Sequence, residues 1–144
     1  MIDYTSYRTP GNNYIWGTKM QKSILITGCS SGIGLDCATT LHAQGWRVFA
    51  SCRQQKDCDK LAEMGLEAPR LDHSDTLSIS KAIDYVTKQT GGTLDAVFNN
   101  GAFAVPGAIE DIPTDALRSI YETNVFGYHE VIRQVIPIMR TQGH

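Results

Sequence analysis

The chain is 144 residues long, 42% hydrophobic and 19% charged, the material of one globular domain rather than of a disordered tail or a fibre. Thirteen Lys and Arg against fifteen Asp and Glu leave a net charge of -2, so no basic surplus exists to neutralise phosphates, and neither nucleic acid nor an anionic membrane is an expected partner. No apolar run approaches the roughly 20 residues of a membrane span; Cys29, Cys37, Cys52 and Cys58 form no Cys-x-x-Cys pair and the histidines stand singly, so no metal is expected, the thiols read as free, and a cytoplasmic location is the expectation.

Residues 1–19 mix Tyr4, Tyr7, Tyr14 and Trp16 with Pro10, Gly11, Asn12, Asn13 and Gly17 and keep neither a helical nor a strand period. They read as a leader or flexible extension, with Met20 as a candidate start and residues 20–144 as the folded, nucleotide-binding portion. From Ser23 short apolar runs alternate with longer amphipathic ones, the pattern of an α/β fold with a parallel sheet covered by helices on both faces. Strands are predicted over residues 23–27 and 47–51, with a helix over 33–44 between them that stops at Gly45. A short helix over 57–64 and a weak third strand over 68–71 follow. In residues 75–90 the side chains Ile79, Ala82, Ile83 and Val86 fall at i, i+3, i+4 and i+7, one face of a helix. A fourth strand is predicted over 94–99, and with the usual order 3-2-1-4 it lies at a sheet edge. A last long helix starts at Pro113-Thr114-Asp115, where proline, a hydroxyl and an acid favour a helix start. Its stripe Leu117, Ile120, Tyr121, Asn124, Val125 and Tyr128 holds one asparagine among apolar neighbours.

The most informative segment joins the first strand to the first helix: Thr27-Gly28-Cys29-Ser30-Ser31-Gly32-Ile33-Gly34. One glycine permits the tight turn, one lets backbone approach a pyrophosphate and one allows close helix-on-sheet packing. The helix N-terminus then offers unpaired N–H groups and a positive dipole end to the phosphates, with Ser30 and Ser31 as further donors. No Gly-Lys-Ser/Thr follows, so the turn is not a nucleoside triphosphate loop. The segment resembles the Thr-Gly-x-x-x-Gly-x-Gly motif of the short-chain dehydrogenases/reductases, and its form is similar to that of the branch including 17β-hydroxysteroid and retinol dehydrogenase-like enzymes. The resemblance runs from about Met20 to the end and implies a Rossmann-type doubly wound parallel sheet, here truncated after about four strands.

Where a dinucleotide fold places an acid for the NAD ribose, the second strand ends Ala50-Ser51-Cys52-Arg53. The planar, permanently charged Arg53 suits a 2′-phosphate, so NADP(H) is the preferred cofactor and NAD(H) the second choice. The resemblance further implies that Asp72 meets the adenine amino group and that His73 contributes through its backbone. The family's Asn-Asn-Ala-Gly stands here as Asn99-Asn100-Gly101-Ala102, its last two residues exchanged; in the family this turn passes beside the adenosine ribose.

Asn124, within Thr123-Asn124-Val125, matches the family's active-site asparagine, and the resemblance implies a helix locally opened there, whose carbonyl holds a water in a proton relay. The family's reaction is hydride transfer between nicotinamide and a carbonyl or alcohol carbon, with a tyrosine moving the proton and a lysine four residues later lowering its pKa. None of the six tyrosines has that lysine: Tyr4, Tyr7, Tyr14, Tyr85, Tyr121 and Tyr128 are followed at i+4 by Arg8, Gly11, Thr18, Gln89, Val125 and Ile132. The expectation is the cofactor-binding part of an NADP(H)-dependent oxidoreductase of a small-molecule carbonyl or secondary alcohol, inactive alone and with homo-oligomerisation through the long helix. The competing reading is a non-catalytic NADP(H)-sensing module.

Overall fold

The computed structural model describes residues 14–15, 18–19 and 21–143. Strands β1 (Tyr14–Ile15) and β2 (Thr18–Lys19) form a small antiparallel pair with Tyr14 opposite Lys19; the rest of the leader expected over residues 1–19, and Met20, lie outside the described residues.

The main sheet has three parallel strands, β3 (Ser23–Thr27), β4 (Arg47–Ser51) and β5 (Ala96–Phe98), with β3 in the centre and Ile24 opposite both Val48 and Ala96. All five residues of β3 are buried because both faces of the sheet are covered, which is why it reads as a continuous apolar run rather than an alternation. Ile24 and Ile26 pack with Ala38 and Leu61, whereas Leu25 packs with Phe49, Ile79, Val86 and Val131. Helices α1 (Gly32–Ala43) and α2 (Gln55–Glu63) therefore cover one face, and α3 (Thr76–Thr90) and α5 (Tyr128–Gln142) the other. Asp75 caps α3 by accepting from the Leu77 and Ser78 amides, and the predicted face Ile79, Ala82, Ile83 and Val86 is buried.

The third strand expected over 68–71 is not formed. The chain over residues 67–70 runs parallel to β4 and to Cys52 just beyond it but pairs with them only at two isolated bridges, Phe49 with Glu67 and Cys52 with Arg70. Pro69 sits between them and has no N–H to continue the ladder. The described sheet thus has three strands where about four were expected, and β5, half-buried along its length, occupies an edge. The last long helix is interrupted: α4 (Thr114–Tyr121) passes into one turn of π-helix (Glu122–Gly127) before α5. Of its stripe, Leu117, Tyr121 and Val125 stay about half exposed, at 49%, 49% and 46%, rather than joining the core. No described helix is long and apolar enough to cross a membrane.

Candidate functional site

The C-terminal ends of β3, β4 and β5 feed a set of loops that meet around the glycine-rich turn, the place where open parallel sheets hold their ligands. Gly28 leaves β3 with φ +71°, and a Cβ there would overlap the Gly101 Cα. Gly34, in the first turn of α1, has no room for a Cβ either: it would overlap the Gly28 carbonyl oxygen and stand 2.6 Å from Asn100 Nδ2. The glycine turn, the start of α1 and the turn after β5 thus touch backbone to backbone. Ser31 holds the N-cap position of α1 in an extended conformation without capping it through its side chain, and no acid lies in the first turn. A helix start of this kind receives an anion.

A hydrogen-bond lattice fixes the contact. Thr27 Oγ1 accepts from the amides of Asn100 and Gly101 at 2.9 and 3.0 Å, while Asn100 Nδ2 donates to the carbonyls of Thr27 and Gly28 at 3.0 and 3.2 Å. The Asn99 side chain next to it keeps its Oδ1 buried and without a partner. Across the turn, Asn124 in the π-helical segment binds Phe103 in both directions: its Nδ2 donates to the Phe103 carbonyl at 2.8 Å and its Oδ1 accepts from the Phe103 amide at 3.2 Å. A π turn frees main-chain groups from the regular ladder and is frequent at functional sites, so the helix is opened at the asparagine, as the family resemblance implies.

These loops enclose a cleft of about 190 Å³ lined by Gly28, Ser30, Arg53, Asp72, His73 and Gly101, among others. That is below the ~300–1,000 Å³ of a complete ligand pocket, a size for one part of a dinucleotide. Ala102 lies on the same wall, together with Leu71, Phe103 and Thr123. The last three escape a motif-based reading, although Thr123 and Phe103 sit beside Asn124 and the Asn-Asn turn. Of the other expected residues, Thr27, Gly34 and Asn100 shape the cleft from beneath, and Ile33 is 73% exposed at the start of α1. A larger depression of about 300 Å³, over Pro69, Lys81 and Tyr85, lies away from the glycine turn.

The charges suit an anionic ligand. Arg53 is exposed at the cleft and its carbonyl receives Arg70 Nε at 2.9 Å, while Asp72 Oδ1 is occupied by the Ser74 amide and hydroxyl at 3.0 and 2.7 Å. Burial pushes the Cys52 thiol up to about 12 and, with Cys52 nearby, raises Cys29 as well. Both stay protonated, which removes them as nucleophiles. His73 is buried with Nε2 unpartnered, and burial outweighs the neighbouring Asp72 to lower its pKa.

A family model described as short chain dehydrogenase matches residues 22–144. The chain is 37% identical over 127 residues to the uncharacterized oxidoreductase YbbO of Escherichia coli K12, covering 88% of this chain and 47% of that protein. It is 33% identical over 132 residues to human 17-beta-hydroxysteroid dehydrogenase type 1, covering 83% of this chain and 39% of that one. Among solved structures it is similar to an actinorhodin polyketide ketoreductase with NADPH, with a TM-score of 0.75, 29% identity, and 85% and 50% of the two chains covered. The chain spans less than half the length of these curated relatives.

Proposed function

The chain belongs to the short-chain dehydrogenase family, and from that premise we propose that it is the cofactor-binding part of an NADP(H)-dependent oxidoreductase acting on a carbonyl or secondary alcohol. The observation that carries this reading is the interlocked cradle of Gly28, Gly34 and Gly101, closed to a side chain at Gly28 and Gly34 and tight at Gly101, next to the exposed guanidinium of Arg53. A pyrophosphate needs such bare backbone beside a helix N-terminus, and a 2′-phosphate needs a fixed cation. That a similar ketoreductase holds NADPH agrees with this preference.

In this reading Gly28, Ser30, Ser31 and the N–H groups of Gly32, Ile33 and Gly34 hold the pyrophosphate. Arg53 takes the 2′-phosphate, Asp72 and the His73 backbone the adenine, and Asn99, Asn100, Gly101 and Ala102 border the ribose. The bound nicotinamide supplies or accepts hydride at its ring carbon. Asn124 ties the helix to the Phe103 loop while the open π turn leaves main-chain carbonyls able to hold a water for proton movement. With no Tyr-x-x-x-Lys in its sequence, the chain binds cofactor without turning over a substrate, and the substrate is the business of the longer proteins of the family.

Calorimetric titration of the chain with NADP+ and with NAD+ tests the reading. The expected result is tighter binding of NADP+, and a loss of about tenfold in its affinity in Arg53→Asp, or ~1.4 kcal/mol, with NAD+ weakened less. Equal affinities in both proteins would contradict the role of Arg53; no binding of either nucleotide would contradict the function.

A further inference from the structure

We propose that His73 is a positioning residue for the dinucleotide: its neutral imidazole is the wedge that holds the Gly101 turn against Gly28, so that cofactor affinity falls when the ring takes up a proton. The inference rests on the reading of the cleft as a dinucleotide site, and assigns to the His73 side chain a role that the motif gives only to its backbone.

Four residues form one stack from the glycine turn to the π-helical segment. Gly28 faces Gly101, where a Cβ would stand 3.0 Å from both the Cα and the N of Gly28. The same Cβ would stand 3.0 Å from His73 Cε1, so the imidazole backs Gly101 from the other side. Behind His73, Gly127 lies so close that a Cβ there would overlap the His73 carbonyl oxygen and stand 2.5 Å from its Cβ. The Tyr128 ring completes the seat, with the two ring centres 5.0 Å apart and tilted by 53°. Gly127 seats the backbone and Cβ of His73, and the imidazole itself lies between Gly101 and the Tyr128 ring, so the thickness of one imidazole sets the spacing between the turn that receives the pyrophosphate and the start of α5.

The ring's environment favours one protonation state. Only 8% of His73 is exposed, and its Nε2 is buried with no hydrogen-bond partner. A neutral ring can leave that nitrogen as an unprotonated acceptor, whereas a second proton would place a charge and an N–H with no acceptor there. The turn after β5 presents Gly101 to the ring, and it does not titrate. The titratable or charged groups around it are Asp72 beside it in the chain, Arg53 on the same cleft and Tyr128 behind it. Asp72 favours the charged ring, but its Oδ1 is engaged by Ser74, and burial of the ring outweighs it. A charged imidazole therefore leaves its seat, and Gly101 loses its backing.

The test uses the 144-residue chain as wild type, His73→Phe and His73→Ala, titrated calorimetrically with NADP+ and NAD+ from about pH 8 to about pH 5.5, with NAD+ included because a 2′-phosphate itself titrates near about pH 6. Wild-type affinity for NAD+ is expected to fall about three- to tenfold between about pH 7.5 and about pH 5.5. His73→Phe keeps a flat ring in the seat and removes this decline. His73→Ala is about tenfold weaker already at neutral pH, as a misplaced cradle requires. A variant-free measurement stands beside these: the pKa of the His73 imidazole, followed by nuclear magnetic resonance, drops on saturation with NADP+. An unchanged decline in His73→Phe, wild-type affinity in His73→Ala, or an imidazole titration indifferent to NADP+ would each overturn the inference. Should the variants fail to fold, the wild-type imidazole titration decides alone. Wild-type chain that binds neither nucleotide at any pH overturns the dinucleotide reading itself, whereas binding independent of His73 overturns this inference only.

Discussion

A single methyl group at position 28 would have to occupy the space of the Gly101 Cα, on a backbone held at φ +71°. Both effects act against Gly28→Ala, which is expected to lose about 2 kcal/mol or more of stability and to abolish dinucleotide binding; a denaturant melt and a titration check the two halves. His73 gives a pH dependence with a definite sign. Its folded-state pKa lies below the ordinary 6.5 because burial penalises the charged ring, so below that value the unfolded chain binds the extra proton first. Stability is therefore fully present above about pH 6.5 and is lost as pH falls through the window between the unfolded and the folded pKa. Denaturant midpoints taken down that range should drop in the wild type and drop less in His73→Phe. Much at this scale was legible in the sequence: the glycines announce themselves by spacing, and Arg53 by its place at the end of a strand. The fit of Gly101 and Gly127 around His73 was not, because it joins segments far apart in the chain and depends on packing that no local pattern encodes.

At the scale of elements, the π-helical turn is the feature most directly tied to the site. Asn124 offers both ends of its amide to Phe103, so the loop after β5 is pinned to a helix that would otherwise pass it by. Asn124→Ala removes both bonds, and because they are exposed water takes the place of the amide; the expected cost is ~0.5–1.5 kcal/mol, with faster amide exchange at Phe103 as the local readout. Unchanged exchange there would show that other contacts hold the loop. The asparagine's place on an apolar stripe was readable from helical periodicity, and the opening of the helix followed only from the family resemblance. The third strand shows the reverse case. Residues 68–71 had strand-like apolar positions, but Pro69 withholds the N–H at the middle of the segment, leaving two isolated bridges; the proline carries more weight than the apolar neighbours suggested.

For the whole molecule, the fold class followed from burial of the sheet on both faces. A strand covered twice reads as an unbroken apolar run, and an alternation of such runs with amphipathic helices leaves little choice besides a parallel sheet between helical layers. Composition and charge argued against nucleic acid and an anionic membrane as partners but pointed to no ligand; the candidate site emerges only where loops from separate parts of the chain meet at the ends of β3, β4 and β5. Amide resonance mapping of the chain during titration with NADP+ asks whether this meeting point binds a nicotinamide dinucleotide. Saturable shifts clustered at Gly28, Ser30, Arg53, Asp72, Gly101 and Thr123 are expected. Absence of saturable shifts, or shifts centred on the separate depression at Pro69, Lys81 and Tyr85, would contradict such binding.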